Sequence, residues 1–322
     1  MPEPTMEREI IAEALRQGNP GLSNYFWLSL TRAIDLKAKS LHSQGKLCTF
    51  PSSRGQEAWF VGLGATLGVD DIYLPYYRDH GCLLQRGYTP ADIFSYWAGF
   101  ESANQAGYVQ DFSFSVPIAS QTTHAVGAAW RYKNTRDRLV VCSLGDGATS
   151  KGDFYEALNF ACIYSLPVLF VINHNNWAIS TSFDKQSATP LATKFQGFAC
   201  NINEVNGLDF DATCAAISLS LSQLRTEKKP GILIAHTARL DPHTVLDDYE
   251  KYADPQVIRS LRLAHDPVAH FQNNLLDKGL ATDKDFTQID ARTKLLIDQA
   301  ADICKNTQSI QSNPAEFLFA HH

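Results

Sequence analysis

Two periodicities of hydrophobic and polar positions run along this chain. Residues 139–144 (LVVCSL), 167–172 (PVLFVI) and 231–237 (GILIAHT) are short, nearly unbroken apolar runs. Runs of that length read as strands buried on both faces. Between the first two, Phe154, Ala157, Leu158, Ala161 and Cys162 recur at i, i+3, i+4, i+7 and i+8. That spacing places them on one face of a helix. Residues 211–225 also carry a helical pattern. Strands separated by helices predict an α/β fold with a parallel sheet between two helical layers.

Outside this middle the pattern is helical. Helices are expected over about 24–41 and 55–67. Another is expected from Thr89, which can cap a helix with Pro90 at its first position. Residues 1–22 end in Pro20 and Gly21 and read as a loose arm before a single domain, 23–322. In residues 241–255, DPHTVLDDYEKYADP, periodicity stops. Long loops of this kind in compact domains are often functional. Residues 256–304 read as helices, followed by a short tail. No internal repeat interrupts the series.

Composition narrows the class. The 322 residues are 44% hydrophobic, enough for a substantial core. With 28 Lys and Arg against 34 Asp and Glu, the net charge is -6, and no basic stripe points to nucleic acid. No apolar run of about 20 residues suggests a membrane span, and MPEPTMEREI reads as neither a secretory nor a transit signal. Seven cysteines, an odd number without a C-x-x-C pair, fit reduced, buried thiols in the cytoplasm.

The chemistry concentrates in residues 143–180. Gly145-Asp146-Gly147 directly follows a buried strand, and ligand crevices in parallel sheets lie at the carboxyl ends of strands. Asn175 lies just past the next buried strand. If those two strands are neighbours, Asp146 and Asn175 emerge side by side. One carboxylate, one amide oxygen and a backbone carbonyl make an all-oxygen site suited to magnesium completed by phosphate oxygens. A lone G-D-G is usually only a turn, but strand, G-D-G, helix, strand and Asn cluster in this order are far more specific. GLGATLG (62–68) superficially suggests a dinucleotide loop. A helix precedes it, however, and the spacing is wrong, so small residues for helix packing explain it better.

Residues 143–180 resemble the thiamine-diphosphate motif, which opens with G-D-G and closes with an Asn pair. PYYRDHG (75–81), VPIASQ (116–121) and RLDPHTVLDD (239–248) resemble further blocks, in order, of the alpha subunits of 2-oxoacid dehydrogenase complexes. The resemblance spans about 25–320. It implies a thiamine-diphosphate-binding α/β fold with helical N- and C-terminal extensions, and thiamine diphosphate held through Mg2+. Asp146, Asn175 and the Trp177 carbonyl would be the metal ligands. Tyr77 and Arg78 would grip the diphosphate, Gly147 and Ala148 would meet it through the backbone, and Val116 and Ile118 would support the cofactor. His243 would reach the cofactor and assist acyl transfer as the catalytic histidine. In branched-chain members a potassium ion also sits in this region, a pattern matched by Ser115, Pro117, Ser120 and Gln121.

The resemblance further implies a beta subunit in an alpha2beta2 assembly, a lipoyl-bearing acyltransferase partner and a small 2-oxoacid substrate, leaning to the branched-chain type. A pyruvate or acetoin enzyme, or a paralogue without activity, stays open as an alternative. Three departures stand out. His174 occupies the place of the first Asn of the pair, the loop before VPIASQ is shortened, and Asp241-Pro242 precedes His243.

Overall fold

The computed structural model describes residues 6–16, 19–105, 107–108 and 110–307. Its strands are β1 (Ile72–Leu74), β2 (Val140–Gly145), β3 (Val168–His174), β4 (Trp177–Ala178), β5 (Thr181–Ser182), β6 (Asn201–Asn206) and β7 (Gly231–His236). Five of them form a wholly parallel sheet in the order β1-β2-β3-β7-β6, and β4 and β5 pair as a small antiparallel hairpin. The helices are α1 (Met6–Leu15), α2 (Pro20–Ser43), α3 (Glu57–Thr66), α4 (His80–Gln85), α5 (Pro90–Trp97) and α6 (Ser120–Trp130). They continue as α7 (Gly152–Tyr164), α8 (Leu191–Phe195), α9 (Phe210–Thr226), α10 (Pro255–Ala264), α11 (Pro267–Asp277) and α12 (Asp283–Asn306).

The expected three layers are present. Side chains of a strand alternate between its two faces. Val140, Cys142 and Leu144 of β2 therefore join Val168, Phe170 and Ile172 of β3 in a core closed by α6, α7 and α8. Val141, Leu169, Val171 and Leu233 point the other way, into a core closed by α3 and α9. In the first core Phe154 of α7 meets Phe170 edge-on at 5.5 Å and Phe195 at 5.5 Å. Burying one such ring contributes roughly 2–3 kcal/mol. A third core joins the first and last described helices, with α1, α2, α5, α11 and α12 packed together.

Local signals account for the helix boundaries. Thr89 caps α5 through a reciprocal pair with Asp92, with Pro90 next in line. Asn19 caps α2 by accepting from Gly21 and Leu22, so this helix begins at Pro20 rather than near residue 24. The expectation of a loose arm needs correction over Met6–Leu15, which is helix α1. Ala14 is buried there, and the Glu7 carboxylate accepts from the Ala91 backbone at 3.1 Å. Gly62 and Gly64 serve helix packing as expected, whereas Gly68 lies in the turn after α3. A Cβ on Gly62 would stand 2.6 Å from Thr213 Cγ2.

β1, α6 and β6 were not legible in the pattern. β1 has three residues, too few to show a period. β6 reads NINEVN and is an edge strand with Val205 as its buried residue. No described helix is long and apolar enough to cross a membrane. None of the seven cysteines forms a disulfide; Cys82, Cys142 and Cys304 are buried as expected, Cys162, Cys200 and Cys214 are partly buried, and Cys48 is exposed.

Candidate active site

β2 and β3 are neighbours, with Gly145 opposite Asn173. Asp146 and Asn175 therefore leave the same sheet edge side by side, and a cleft with about 740 Å³ of empty volume opens there. Every predicted site residue lines it: Tyr77, Arg78, Val116, Ile118, Asp146, Gly147, Ala148, Asn175, Trp177 and His243. Ser115, Pro117 and Gln121 line it too.

The acidic end is tightly organised. Asp146 is almost fully buried, its Oδ1 accepts from the Gly147 N–H at 2.9 Å, and its Oδ2 accepts from His174 Nδ1 at 2.9 Å. Gly147 must remain glycine, because a Cβ there would lie 2.8 Å from the Ala178 Cβ. The Asn175 amide is oriented by Gln56, whose Oε1 accepts from Asn175 Nδ2 at 2.9 Å and from Asn173 Nδ2 at 2.6 Å. Because Nδ2 is committed, Oδ1 is the atom left for a ligand, and it accepts from the Trp177 N–H at 3.1 Å. Gln56 was invisible to sequence reading. It sits far upstream, at the N-cap of α3, and only the fold brings it here.

The cationic end departs from expectation in one respect. The Arg78 guanidinium is buried and already holds the Ser52 carbonyl, the His243 carbonyl at 3.2 Å and His243 Nδ1 at 3.1 Å. Guanidinium only donates, so Nδ1 is the acceptor and the His243 proton sits on Nε2. Burial, then the charges of Arg78 and Arg239, push the imidazole down to about 3. Its backbone N–H donates to Asp247 at 2.8 Å, and Asp247 also accepts from the Tyr252 hydroxyl.

Arg239 is a second cation that the sequence reading passed over. Its guanidinium lies over the rings of Tyr249 at 4.9 Å, Trp177 at 5.8 Å and Tyr252 at 5.9 Å. It donates to the Ile179 carbonyl at 2.8 Å. Its Nε and Nη1 have no partner among the described residues. The signal was available, since Arg239 opens the block that contains His243.

Ser115, Pro117, Ser120 and Gln121 also converge. Ser115 Oγ lies 2.7 Å from Ser120 Oγ, and Ser120 Oγ donates to the Pro117 carbonyl at 2.9 Å. Gln121 Nε2 donates to the Ser143 carbonyl at 2.8 Å, while its buried Oε1 has no partner among the described residues.

A cleft at the carboxyl edge of a parallel sheet, lined by Asp146, Asn175, Arg78 and His243 together with Val116, Ile118 and Ile179, has the form of a ligand crevice of an α/β protein. The chain belongs to the dehydrogenase E1 component family, which it matches over residues 27–312. It is 37% identical to the 3-methyl-2-oxobutanoate dehydrogenase subunit alpha of Mycobacterium tuberculosis, over 84% of this chain and 74% of that protein. It is 31% identical to the pyruvate dehydrogenase E1 component subunit alpha of Acholeplasma laidlawii, over 91% of this chain and 85% of that one. It is also 31% identical to the mitochondrial 2-oxoisovalerate dehydrogenase subunit alpha 1 of Arabidopsis thaliana, over 79% of this chain and 57% of that one.

Proposed function

We propose that this chain is the alpha subunit of a thiamine-diphosphate-dependent 2-oxoacid dehydrogenase that prefers branched-chain substrates. It would work with a beta subunit in an alpha2beta2 assembly and pass the acyl group to the lipoyl group of an acyltransferase component. The observation that carries this reading is the convergence of Asp146, Asn175, Trp177, Arg78 and His243 on one cleft. The branched-chain preference rests on the 37% identity to an alpha subunit of that name and on the apolar wall of Val116, Ile118 and Ile179. Seven unpaired cysteines support a reducing compartment, the cytoplasm.

The donor set fits the cofactor. Asp146, Asn175 Oδ1 and the Trp177 carbonyl are hard oxygen ligands for Mg2+, which leaves further positions to phosphate oxygens. No group of three His, Cys, Asp or Glu converges among the described residues, so such a metal would depend on the diphosphate for much of its charge balance. Tyr77 and Arg78, which line the cleft, would meet the phosphate oxygens, with the charge of buried Arg239 behind them. Thiamine diphosphate bound there supplies the nucleophilic carbon on which a 2-oxoacid loses carbon dioxide. His243 presents its Nε2 proton for transfer during acyl release. Gln121 Oε1, Ser115, Ser120 and the Pro117 carbonyl offer oxygens for a potassium ion that would brace the cofactor loop.

The test is calorimetry with thiamine diphosphate and Mg2+ on the assembled component, followed by turnover on 3-methyl-2-oxobutanoate and pyruvate. The expected outcome is Mg2+-dependent binding, lost by about a hundredfold or more in Asp146→Ala since a direct ligand outweighs a supporting one, and faster turnover of the branched substrate. Unchanged cofactor affinity in the variant would refute the metal assignment. Faster turnover of pyruvate would overturn the substrate preference alone.

A further inference from the structure

The residue before the metal-ligand asparagine is a histidine, and it touches the other ligand. The His174 Nδ1–H donates to Asp146 Oδ2 at 2.9 Å, while the Gly147 N–H holds Oδ1. An ionised carboxylate only accepts, so Nδ1 carries a proton. The ring has little freedom. His174 ends β3 in register with His236, its carbonyl accepts from the Thr237 N–H at 3.0 Å, and its edge packs on Phe183 at 4.4 Å. The side chain is buried, as is that of Asp146. Both oxygens of the carboxylate are therefore fixed before any ligand arrives.

We propose that His174 is a positioning residue that sets the plane of the Asp146 carboxylate for the metal ion of the diphosphate. The proposal rests on the cofactor reading above. Without the Nδ1 donor, Oδ2 of a buried carboxylate would have no hydrogen bond and the group would be free to rotate. Ordering it would then fall on the metal-binding step. Groups that hold a metal ligand in this way are typically worth 10–100-fold in metal affinity. The chemistry also explains why His can replace the Asn of relatives. Asn Nδ2 and His Nδ1 are each bonded to Cγ, so both place a donor at the same distance from the backbone. Phenylalanine keeps the ring volume and lacks the donor.

The experiment titrates thiamine diphosphate into the assembled component at a series of Mg2+ concentrations, for the wild type, His174→Phe and His174→Asn. The expected result is that Phe raises the Mg2+ concentration for half-maximal binding about tenfold or more and that Asn restores it to within about twofold. A role confined to packing would shift the metal-free unfolding temperature of both variants and leave the Mg2+ dependence unsplit. His174→Leu repeats the comparison with a smaller apolar side chain if the Phe protein does not fold. Unchanged Mg2+ dependence in the apolar variant, with the wild type binding cofactor, overturns the role of His174 and leaves the cofactor reading standing. A wild type that binds no thiamine diphosphate at any Mg2+ concentration overturns both.

Discussion

His243 shows how much of a residue's chemistry its neighbours decide. A loop histidine in water changes charge near neutral pH. Here burial comes first, followed by two guanidinium groups, and the imidazole is driven down to about 3. It is therefore neutral across the working range until a counter-charge arrives. A diphosphate supplies that charge, so binding should raise the pKa. Imidazole NMR on the free chain should find His243 neutral from pH 8 to 5 and titrating at higher pH once cofactor and Mg2+ are added. Protonation near 6.5 in the free chain would show that Arg78 and Arg239 do not act on it. His243→Ala should leave cofactor binding measurable and reduce acyl transfer to lipoyl by roughly a hundredfold. Wild-type overall turnover would remove it from the mechanism.

At the scale of elements, the cleft depends on how the strand ends are tied together, and Asp79 makes one of those ties. It is fully buried and accepts from Tyr73 of β1 at 2.6 Å, from the Tyr76 backbone at 2.9 Å and from Ser143 of β2 at 3.1 Å. Desolvation outweighs these bonds and raises its carboxyl from 3.8 to about 7. The native state thus holds a proton that the unfolded chain releases, so stability from this group is full below about pH 4 and is lost as pH rises through 7. Asn titrates in neither state. The stability deficit of Asp79→Asn relative to the wild type should therefore shrink as pH rises from 4 to 7, as followed by urea unfolding. A deficit that grows over that range would mean that the carboxylate is ionised in the fold. Asp79→Ala should cost roughly 2–4 kcal/mol at acid pH, since it leaves buried donors without an acceptor.

For the whole molecule, the proposed assembly makes this cleft half of a site. Asp146 is the only carboxylate among the described residues that line it, and the proposed function commits it to the metal. Val116, Ile118 and Ile179 are between 43% and 55% exposed, an apolar rim that a second chain can cover. On the proposed function, a second chain would supply the acid–base group that this cleft lacks, and closing the rim would also exclude water. Purified alone with Mg2+ and thiamine diphosphate, this chain should show no decarboxylation of 2-oxoacids, and adding the beta subunit should switch activity on. Robust turnover by the isolated chain, unaffected by the partner, would refute this division of labour.

The sequence by itself determined the elements whose signals are local and the order in which the blocks of the site occur. The apolar runs of β2, β3 and β7, the Thr89 cap with Pro90 after it and the G-D-G after a strand carry their information within a few residues. Runs of five to seven buried residues and a threonine cap followed by proline each have few alternatives. Only the tertiary structure decided what meets across long separations. Gln56 orients Asn175, Arg78 holds His243, and Arg239 lies over Trp177 and Tyr249. None of these pairings leaves a period or a spacing in the chain, because each is made by elements that the parallel sheet and its covering helices bring together. The strand neighbours β2 and β3 set which side chains share an edge, and burial then set their protonation. Helix α1 is the clearest case at the periphery. Its ten residues interleave four charged side chains with apolar ones and read as an arm, and its packing against α12, with Glu7 bonded to Ala91 at the start of α5, makes it part of the fold.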